Sequence, residues 1–417
     1  MREMQESGLK WLGTIPSTWK LTRIGGLYGI RNEKVSDKDF PPLSVTNKGI
    51  LPQLETAAKT NDGDNRKLVR KGDFAINSRS DRRGSCGISS YDGSVSLINI
   101  VMKPRAAMVP AYFEWLFHTV QFGDENYAWG HGIVDDLWTT GWQDMKKIII
   151  PYPPIEEQEK ITEYLNARCA EIDTLIGNIT SQIEILEQYK RSLITETVTK
   201  GLDNDAKYKE TGIQWIGTIP EHWQCIRGKY FLKYVQKPVR EDDGVITCFR
   251  DGEVTLRSNR REDGFTMADK EIGYQGIDIG DLVVHGMDGF AGAIGISDSR
   301  GKASPVLNVL DTEQNKRYIM YFLRSMAYSD VFLALATGIR VRSCDLRWNK
   351  LCELYYPIPP VDEQNRIVDY IDKAVGKTNR VINIKKEQLE CLDKYKKSLI
   401  FEYVTGKKEV RGELAGK

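Results

Sequence analysis

The chain contains one sequence pattern twice, once in each half. Residues 6–19 read ESGLKWLGTIPSTW and residues 210–223 read ETGIQWIGTIPEHW, so eight of fourteen positions are identical. Two further segments repeat in the same order, PYPPIEEQEKI (151–161) as PIPPVDEQNRI (357–367) and YKRSLITETVTKG (189–201) as YKKSLIFEYVTG (395–406). A repeat of this length indicates that one structural unit is present twice. The 417 residues therefore predict two similar units rather than a single core.

The segments between these repeated boundaries differ strongly in sequence. Only short matches remain, such as GDF at 72–74 with GDL at 280–282. Both inserts contain short β-like runs broken by glycine-rich turns, with one apolar helical stretch each, which is typical of mixed α and β domains. We call the repeated segments the frame and the differing segments between them the inserts. A repeated frame around two different inserts predicts that each insert performs its own version of one task. Neutral drift of surface loops is the alternative explanation for their different sequences. The expected fold class is α+β, with a pseudo-twofold internal repeat.

Apolar residues at heptad spacing follow the Pro-Pro pair in both halves. The first series is Ile161, Leu165, Ile172, Leu175, Ile179, Leu186, Tyr189 and Leu193, with Arg168 and Gln182 as polar exceptions. The second series is Ile367, Ile371, Ala374, Val381, Leu392, Tyr395 and Leu399, with Thr378, Lys385 and Gln388 as exceptions. Each Pro-Pro pair, with acidic residues in the first turn that follows it, indicates a helix start. We predict helices at 154–200 and 360–405, each roughly 60 Å long at 1.5 Å per residue.

Each of these helices has too many polar exceptions in its seam to be stable alone. Pairing with each other in an antiparallel coiled coil would bury both seams, and packing of each helix on its own insert is the alternative. The unbroken heptad register favours the coiled coil.

No motif for catalysis or metal binding stands out. The four histidines and seven cysteines show no Cys-x-x-Cys, His-x-His or His-Glu-x-x-His spacing, so we expect no metal site. GKT at 376–378 lacks the earlier glycine of a phosphate-binding loop, and the Pro-Pro pairs lack the preceding Asn or Asp of adenine methyltransferases. Lys plus Arg is 59 against 58 for Asp plus Glu, which excludes a uniformly basic packaging protein for nucleic acid.

Basic segments in both inserts are candidates for contact with DNA. Residues 66–83 carry seven Lys or Arg against two Asp, and residues 249–264 and 338–348 are also rich in arginine. A solvated charged loop is the alternative for each segment. Arginine and amide side chains favour DNA because they hydrogen-bond base edges. The predicted base-reading residues are Asn77, Arg79, Arg82 and Arg83 in the first insert and Arg257, Asn259, Arg260 and Arg261 in the second, with His285 corresponding to Asn77. Lys71 and Lys302 are predicted phosphate contacts.

The repeated motifs W-x-G-x-I-P-x-x-W, PP-x-x-EQ-x-x-I and YK-[RK]-SLI resemble those of the specificity subunit of type I restriction-modification enzymes, and they occur in both halves. The resemblance implies that each insert is a target recognition domain that reads one part of a split DNA target. It also implies that the two helices form an antiparallel coiled coil, which separates the recognition domains and docks two modification subunits. It transfers no base-contacting residues, because recognition domains differ within the family.

The resemblance further implies partners and cofactors. Double-stranded DNA, two modification subunits and restriction subunits are the expected partners. The chain itself would bind no cofactor, because S-adenosylmethionine would lie on the modification subunit, and ATP and Mg on the restriction subunit. The absence of a recognisable catalytic motif agrees with a subunit that only reads DNA. An enzyme such as a nuclease, and a protein-binding scaffold that uses only the helices, are the alternatives.

The repeat also predicts domain boundaries. They are recognition domain 1 at 1–153, a helix at 154–200, a linker at 201–209, recognition domain 2 at 210–359, a helix at 360–405 and a flexible tail at 406–417. Neither an apolar signal peptide nor a membrane-spanning run is present, so we expect a cytoplasmic protein that does not contact a membrane.

Overall fold

The computed structural model of the chain describes residues 2–53, 63–79, 82–132, 138–260, 272–334 and 346–410. The chain divides into two compact units, Met1–Ile179 with Lys386–Lys417 (unit 1) and Thr180–Lys385 (unit 2). Two helices, Ile155–Lys200 (the first long helix) and Val361–Val404 (the second long helix), each contribute one part to each unit. Both predicted helices are confirmed, with ends within one residue of the prediction.

Unit 1 is built around an antiparallel four-stranded sheet. Its strand order is Cys86–Ile88, Phe74–Asn77, Asn99–Pro104 and Tyr28–Ile30. The insert also contains a three-stranded sheet of Gly93–Val95, Arg66–Val69 and Lys34–Val35, and a hairpin of Leu43–Thr46 and Gly49–Pro52. Its helices are Ile24–Leu27, Pro110–Phe117, Val120–Ala128 and Trp142–Met145. Two antiparallel strand pairs belong to the frame, Met4–Glu6 with Thr14–Pro16 and Lys20–Arg23 with Ile149–Tyr152.

Unit 2 repeats this plan with the same strand order. Its four-stranded sheet runs Ile294–Ile296, Leu282–His285, Leu307–Thr312 and Leu232–Tyr234. A pair of Gln275–Ile277 with Gly301–Ala303 and a hairpin of Ile246–Cys248 with Val254–Leu256 follow the unit 1 plan. The helices are Lys316–Tyr328, Val331–Ala334 and Trp348–Leu351, with 3-10 turns at Gly228–Tyr230, Arg257–Asn259 and Gly289–Ala291. Frame strands pair as Tyr208–Glu210 with Thr218–Pro220 and Gln224–Arg227 with Tyr355–Ile358. The predicted α+β fold with an internal repeat is confirmed.

Both faces of each four-stranded sheet are buried. In unit 1, Phe74 and Ile76 belong to the cluster that contains the helical residue Phe113, whereas Ala75 packs with Val69 from the three-stranded sheet. Unit 2 shows the same alternation, because Leu282 and Val284 face the helices and Val283 faces the other way. Successive side chains of a strand point to opposite faces, so an unbroken apolar run such as FAI or LVV covers both.

The two long helices run antiparallel within each unit. In unit 1 the rings of Tyr164 and Tyr403 lie 4.5 Å apart, and Lys396 Nζ is 2.5 Å from Asp173 Oδ1. In unit 2, Gln182 accepts a hydrogen bond from Lys385 at 2.6 Å and Lys190 donates to Asn379 at 3.1 Å. Residue numbers rise on one helix as they fall on the other, so the predicted antiparallel pairing is confirmed in each unit. The helix ends also pack on the inserts, since Leu165 and Tyr112 share one core cluster.

The heptad prediction is wrong in phase along part of each helix. Leu175 and Tyr189 are 50% and 54% exposed, and the inward positions are taken by Cys169, Ile176, Ile183 and Lys190, each one residue later than predicted. Two consecutive four-residue steps, from Ile161 through Leu165 to Cys169, cause this shift. The second long helix shifts similarly, because Val381 is exposed and Ile382 is buried. Arg168 and Gln182 are therefore not polar exceptions within the seam.

The repeated tryptophan and glutamate form one contact in each unit. Trp19 Nε1 donates to Glu157 at 2.7 Å, and Trp223 Nε1 donates to Glu363 at 3.1 Å. The next residue, Gln158, is fully buried, accepts a hydrogen bond from the backbone N–H of Val109 and donates to the Pro153 carbonyl, both at 2.8 Å. These contacts explain why W-x-G-x-I-P-x-x-W and PP-x-x-EQ occur together.

The third repeated motif lies at the C-terminal end of each long helix. The glycine that follows it lies close to a repeated tryptophan, Gly406 to Trp19 and Gly201 to Trp223. Gly406 has a φ of +70° and lies so close to Pro16 that a Cβ would approach its ring to 2.5 Å. The hydroxyl of Tyr112 donates to the Val404 carbonyl at 2.7 Å, which ties the insert to this helix end. Lys407, the second residue of the predicted tail, donates to the Leu12 carbonyl at 2.5 Å, while residues 411–417 lie outside the described residues.

Within the described ranges, none of the helices is both long and apolar enough to cross a membrane.

Candidate nucleic-acid interface

The candidate face of unit 1 lies where the strand Phe74–Asn77 ends. Asn77 Oδ1 accepts a hydrogen bond from the backbone N–H of Arg79 at 3.1 Å, which turns the chain away from the sheet. The Arg82 N–H donates to the Arg79 carbonyl at 3.2 Å, and the Asn77 N–H donates to the Ser85 carbonyl at 2.9 Å. These bonds hold the predicted residues Asn77, Arg79 and Arg82 in one loop.

Arg83 in this loop contacts an aromatic pair. Its guanidinium lies 4.0 Å from the centre of the Tyr127 ring and donates to Asp124 at 3.0 Å. The Trp138 ring is tilted against Tyr127 at 5.4 Å, and Trp138 Nε1 donates to the Tyr127 carbonyl at 2.9 Å. Stacking on an aromatic ring orients a guanidinium while leaving other donors for a ligand. The structure therefore brings Asn77, Arg79 and Arg83 to one cleft.

Lys71 does not belong to this group. It precedes the strand that Asn77 ends, and its backbone N–H donates to Asp92 at 2.8 Å. The four residues of the strand alone span about 10 Å, at 3.3 Å per residue. Lys71 and Asn77 therefore lie at opposite ends of this strand, and the phosphate contact predicted for Lys71 would be separate from the Asn77 loop.

His285 occupies in unit 2 the position of Asn77 in unit 1. Each is the last residue of the equivalent central strand, and each lies opposite the first residue of the neighbouring long strand, Leu307 or Asn99. His285 Nδ1 accepts hydrogen bonds from the backbone N–H groups of Met287 at 3.2 Å and Asp288 at 2.9 Å. Burial lowers the pKa of His285, because desolvation disfavours the imidazolium.

The other predicted residues of unit 2 lie elsewhere. Arg257 and Asn259 form the turn after the hairpin strand Val254–Leu256, and Asn259 donates to Thr255 at 2.9 Å. Arg260 pairs with Asp251 at 2.7 Å and Glu253 at 3.0 Å and covers the Phe249 ring at 4.1 Å. Arg261 lies outside the described residues. The unit 1 counterpart of this turn follows Gly49–Pro52, so Arg257, Asn259 and Arg260 are not the equivalents of Asn77–Arg83.

Lys302 lies in the strand Gly301–Ala303, where its backbone N–H donates to the Gly244 carbonyl at 2.8 Å. This strand belongs to the two-stranded sheet and not to the sheet that ends at His285. Lys302, like Lys71, is thus separate from the loop that follows the central strand.

Sequence reasoning missed the true counterpart of the Arg83 loop, which is Gly286–Ala293. Arg250 reaches this loop and pairs with Asp288 at 2.9 Å. The Leu346 N–H donates to the Gly286 carbonyl at 2.8 Å, as the Thr140 N–H does to the Ser78 carbonyl at 3.0 Å in unit 1. The match of GDF with GDL aligns the two central strands and could have located this loop. No comparable signal identifies Tyr127, which contacts Arg83 from a distant segment, or Trp138, which contacts Tyr127.

Comparison with known proteins adds independent information. Residues 16–185 match the family described as the type I restriction modification DNA specificity domain. Two curated relatives from Methanocaldococcus jannaschii are 25% and 26% identical over 280 and 287 residues, and the second is named type I restriction enzyme MjaVIII specificity subunit. The matches cover 64% of this chain in both cases and only 61% and 63% of the relatives.

The chain is similar to the specificity subunits of type I restriction-modification enzymes. The family match falls mostly on unit 1, and unit 2 repeats its strand order and frame motifs. A chain from a solved structure described as "Structural basis underlying complex assembly and conformational transition of the type I R-M system" has a similar fold, with a TM-score of 0.68 and 14% identity. That match covers 94% of this chain and 99% of the other.

Proposed function

We propose that the chain is the DNA-reading, non-catalytic subunit of a type I restriction-modification complex. The observation that carries this proposal is the match of residues 16–185 to the type I restriction modification DNA specificity domain, in a chain with two copies of one α+β unit. The loops of the two copies differ at one equivalent strand end. Loop residues that vary on a constant scaffold are a common way to change binding specificity. In unit 1 this strand end carries Asn77 and Arg83, and in unit 2 it carries His285 and Asp288.

Each unit would read one part of a two-part, asymmetric DNA target. Asn77, Arg79, Arg82 and Arg83 are the proposed readers of unit 1, because amide and guanidinium groups hydrogen-bond adenine and guanine edges. His285 is the proposed reader at the equivalent strand end of unit 2. Arg257, Asn259, Arg260 and Arg261 stay proposed DNA contacts from a second loop, and Lys71 and Lys302 stay proposed phosphate contacts.

The rest of the complex would supply the chemistry. Two modification subunits would bind S-adenosylmethionine and methylate adenine N6, and restriction subunits would use ATP and Mg to translocate and cleave unmodified DNA. The chain would bind none of these cofactors itself. A protein with these partners and this DNA substrate would act in the cytoplasm.

The proposal is tested by expressing the full chain with the modification subunits of the same host. The complex is incubated with S-adenosylmethionine and a plasmid library of random sequence, and methylated adenines are mapped. We expect one two-part motif with a fixed unspecified gap, and no methylation by the chain alone or by the modification subunits alone. A contiguous motif would contradict the two-part target. Methylation by the chain alone would contradict the non-catalytic role.

A further inference from the structure

An open cleft of about 660 Å³ in unit 1 is lined by four basic side chains. They are Arg23, Arg105, Lys146 and Lys147. Among the described residues, no carboxylate lines the cleft. Of the four basic side chains, only Lys147 forms an ion pair with a described residue, Asp144, at 2.9 Å. Arg23, Arg105 and Lys147 are exposed, and Lys146 is half-buried. The cleft therefore concentrates positive charge that the unit itself leaves largely uncompensated.

Backbone contacts hold these four side chains together. Arg23 ends the frame strand that pairs with Ile149–Tyr152. It lies opposite Ile149, which follows Lys147 by two residues. The Gly25 N–H donates to the Lys146 carbonyl at 2.9 Å, and the Arg105 guanidinium donates to the Gly25 carbonyl. This last contact uses one of the five donors of Arg105 and leaves the others available.

Unit 2 provides an internal comparison, because acidic residues stand at two of the equivalent positions. Arg227 is the counterpart of Arg23, but Glu353 stands at the position of Lys147 and Glu313 at that of Arg105. Glu353 pairs with both Arg227 and Lys229 at 3.0 Å. The shared frame thus does not require a basic cleft, and the charge of unit 1 is a specific feature of that unit.

The cleft lies away from the candidate base-reading loop. Asn77 is paired with Asn99 at one end of the long strand Asn99–Pro104, and Arg105 follows its other end. The six steps from Asn99 to Arg105 span about 20 Å, at 3.3 Å per residue, which corresponds to about six base pairs of duplex. The volume greatly exceeds that of one phosphate group, so the cleft suits an extended anion whose charges repeat.

We propose that this cleft binds the phosphodiester backbone of the DNA, as a sequence-independent contact that only unit 1 provides. The inference rests on the proposed DNA-reading function and adds to it an asymmetry between the units. Lysine and arginine contacts to phosphate contribute affinity and salt dependence without selecting sequence. Unit 1 would therefore hold its part of the duplex more tightly, at any sequence, than unit 2 does.

The test compares three full-length variants with the wild-type chain on two labelled duplexes. One duplex is selected by the wild-type chain from a random library, and the other has the same bases shuffled. The first variant combines Arg23→Gln, Arg105→Gln and Lys146→Gln. The second, Arg23→Gln with Lys146→Gln, spares the Arg105 contact with Gly25 in case the first variant does not fold. The matched control in unit 2 is Arg227→Gln with Lys229→Gln. Affinity is measured between 50 and 200 mM salt, as in ordinary counterion-release experiments.

We expect the slope of log affinity against log salt to become shallower by about 2 to 3 for the first variant and by about 1 to 2 for the second, near 0.9 per phosphate lost. Both duplexes should weaken by the same factor, and the control should change neither slope nor affinity appreciably. An unchanged slope in the first two variants would overturn the inference. So would a loss confined to the selected duplex, which would indicate base reading.

Two further outcomes separate the inference from the proposed function. If the wild-type chain does not distinguish the selected duplex from the shuffled one, DNA reading fails, while the slopes on the shuffled duplex still test the cleft. If the variants bind DNA normally but no longer bind the modification subunits, the cleft recognises an acidic protein surface and the inference is wrong.

Discussion

At the scale of single residues, the equivalent strand ends of the two units carry different chemistry on the same backbone. Asn77 offers an amide that can donate and accept hydrogen bonds. His285 uses Nδ1 to accept two backbone N–H groups, so its proton lies on Nε2. Desolvation lowers the pKa of the ring, which favours its neutral form. The two units would therefore present different hydrogen-bonding groups at one position.

We predict that His285 titrates below its usual pKa of 6.5, as the neutral Nε2–H tautomer. Because its folded pKa is lowered, the stabilising contribution of the neutral ring is complete above pH 6.5 and is lost as pH falls through the folded pKa. Nitrogen NMR shifts of the imidazole report both properties. In urea unfolding, the stability difference between wild type and His285→Gln should shrink as pH falls. A proton on Nδ1 at pH 7.5 would contradict the prediction.

Arg83 and Arg260 provide a second residue-scale comparison. Arg83 forms an ion pair with one exposed carboxylate, that of Asp124, whereas Arg260 forms ion pairs with two carboxylates. We predict that Arg83→Ala weakens binding to the selected duplex by roughly 1 to 3 kcal/mol and relaxes one base position, if this side chain reads guanine. Arg260→Ala should have a smaller effect. Affinities for duplexes substituted one base pair at a time measure both. Equal losses would show that pairing with Asp251 and Glu253 does not restrain Arg260.

At the scale of elements, which face of a long helix is buried depends on what packs against the helix. Ile176 packs against the unit 1 core, while the neighbouring Leu175 is exposed, although the heptad series places Leu175 in the seam. We predict that Ile176→Ser lowers the free energy of unfolding by about 1 to 2 kcal/mol, in proportion to its partial burial. The matched variant Leu175→Ser should change it by less than about 0.5 kcal/mol. Urea unfolding measures both changes. A larger loss of stability for Leu175→Ser than for Ile176→Ser would support the heptad series predicted from the sequence.

The repeated glutamine at the start of each helix is a second element-scale test. Gln158→Ala leaves the Val109 N–H and the Pro153 carbonyl without these partners in a buried place. We predict a loss of about 2 to 4 kcal/mol in the free energy of unfolding, at about 1 to 3 kcal/mol for each buried unpaired group. Gln188→Ala, on the exposed surface of the same helix, is the control and should be nearly neutral. A small effect of Gln158→Ala would mean that water replaces the side chain.

At the scale of the whole molecule, each insert begins and ends on neighbouring frame strands. Lys20–Arg23 pairs with Ile149–Tyr152, and Gln224–Arg227 pairs with Tyr355–Ile358. The chain can therefore leave and rejoin the frame at one place, so an insert can be replaced without breaking the repeated motifs.

We predict that exchanging residues 24–148 for the insert of a related subunit changes one part of the DNA target and leaves the other part unchanged. Exchanging residues 228–354 should do the reverse. Methylated adenines, mapped with the modification subunits present, report both parts. A change in both parts after either exchange would show that the units do not read independently.

The duplication, the α+β class and both long helices could be predicted from the sequence. These properties follow from local patterns, such as the proline pairs and acidic first turns of the helices and the apolar runs of the central strands. The antiparallel pairing of the helices was predicted from their heptad series together with the family resemblance. The repeat also predicted that His285 is the counterpart of Asn77, because the equivalent strands of the two units have the same register.

Which side chains contact each other could not be predicted from the sequence. Arg83 stacks on Tyr127, which is itself held by Trp138, and Glu353 pairs in unit 2 with Arg227, whose counterpart Arg23 lines the basic cleft of unit 1. The inward face of each long helix also differs by one residue from the heptad series. The free energy of each such contact depends on groups that are distant in sequence, so the local pattern that forms an element does not specify what that element touches.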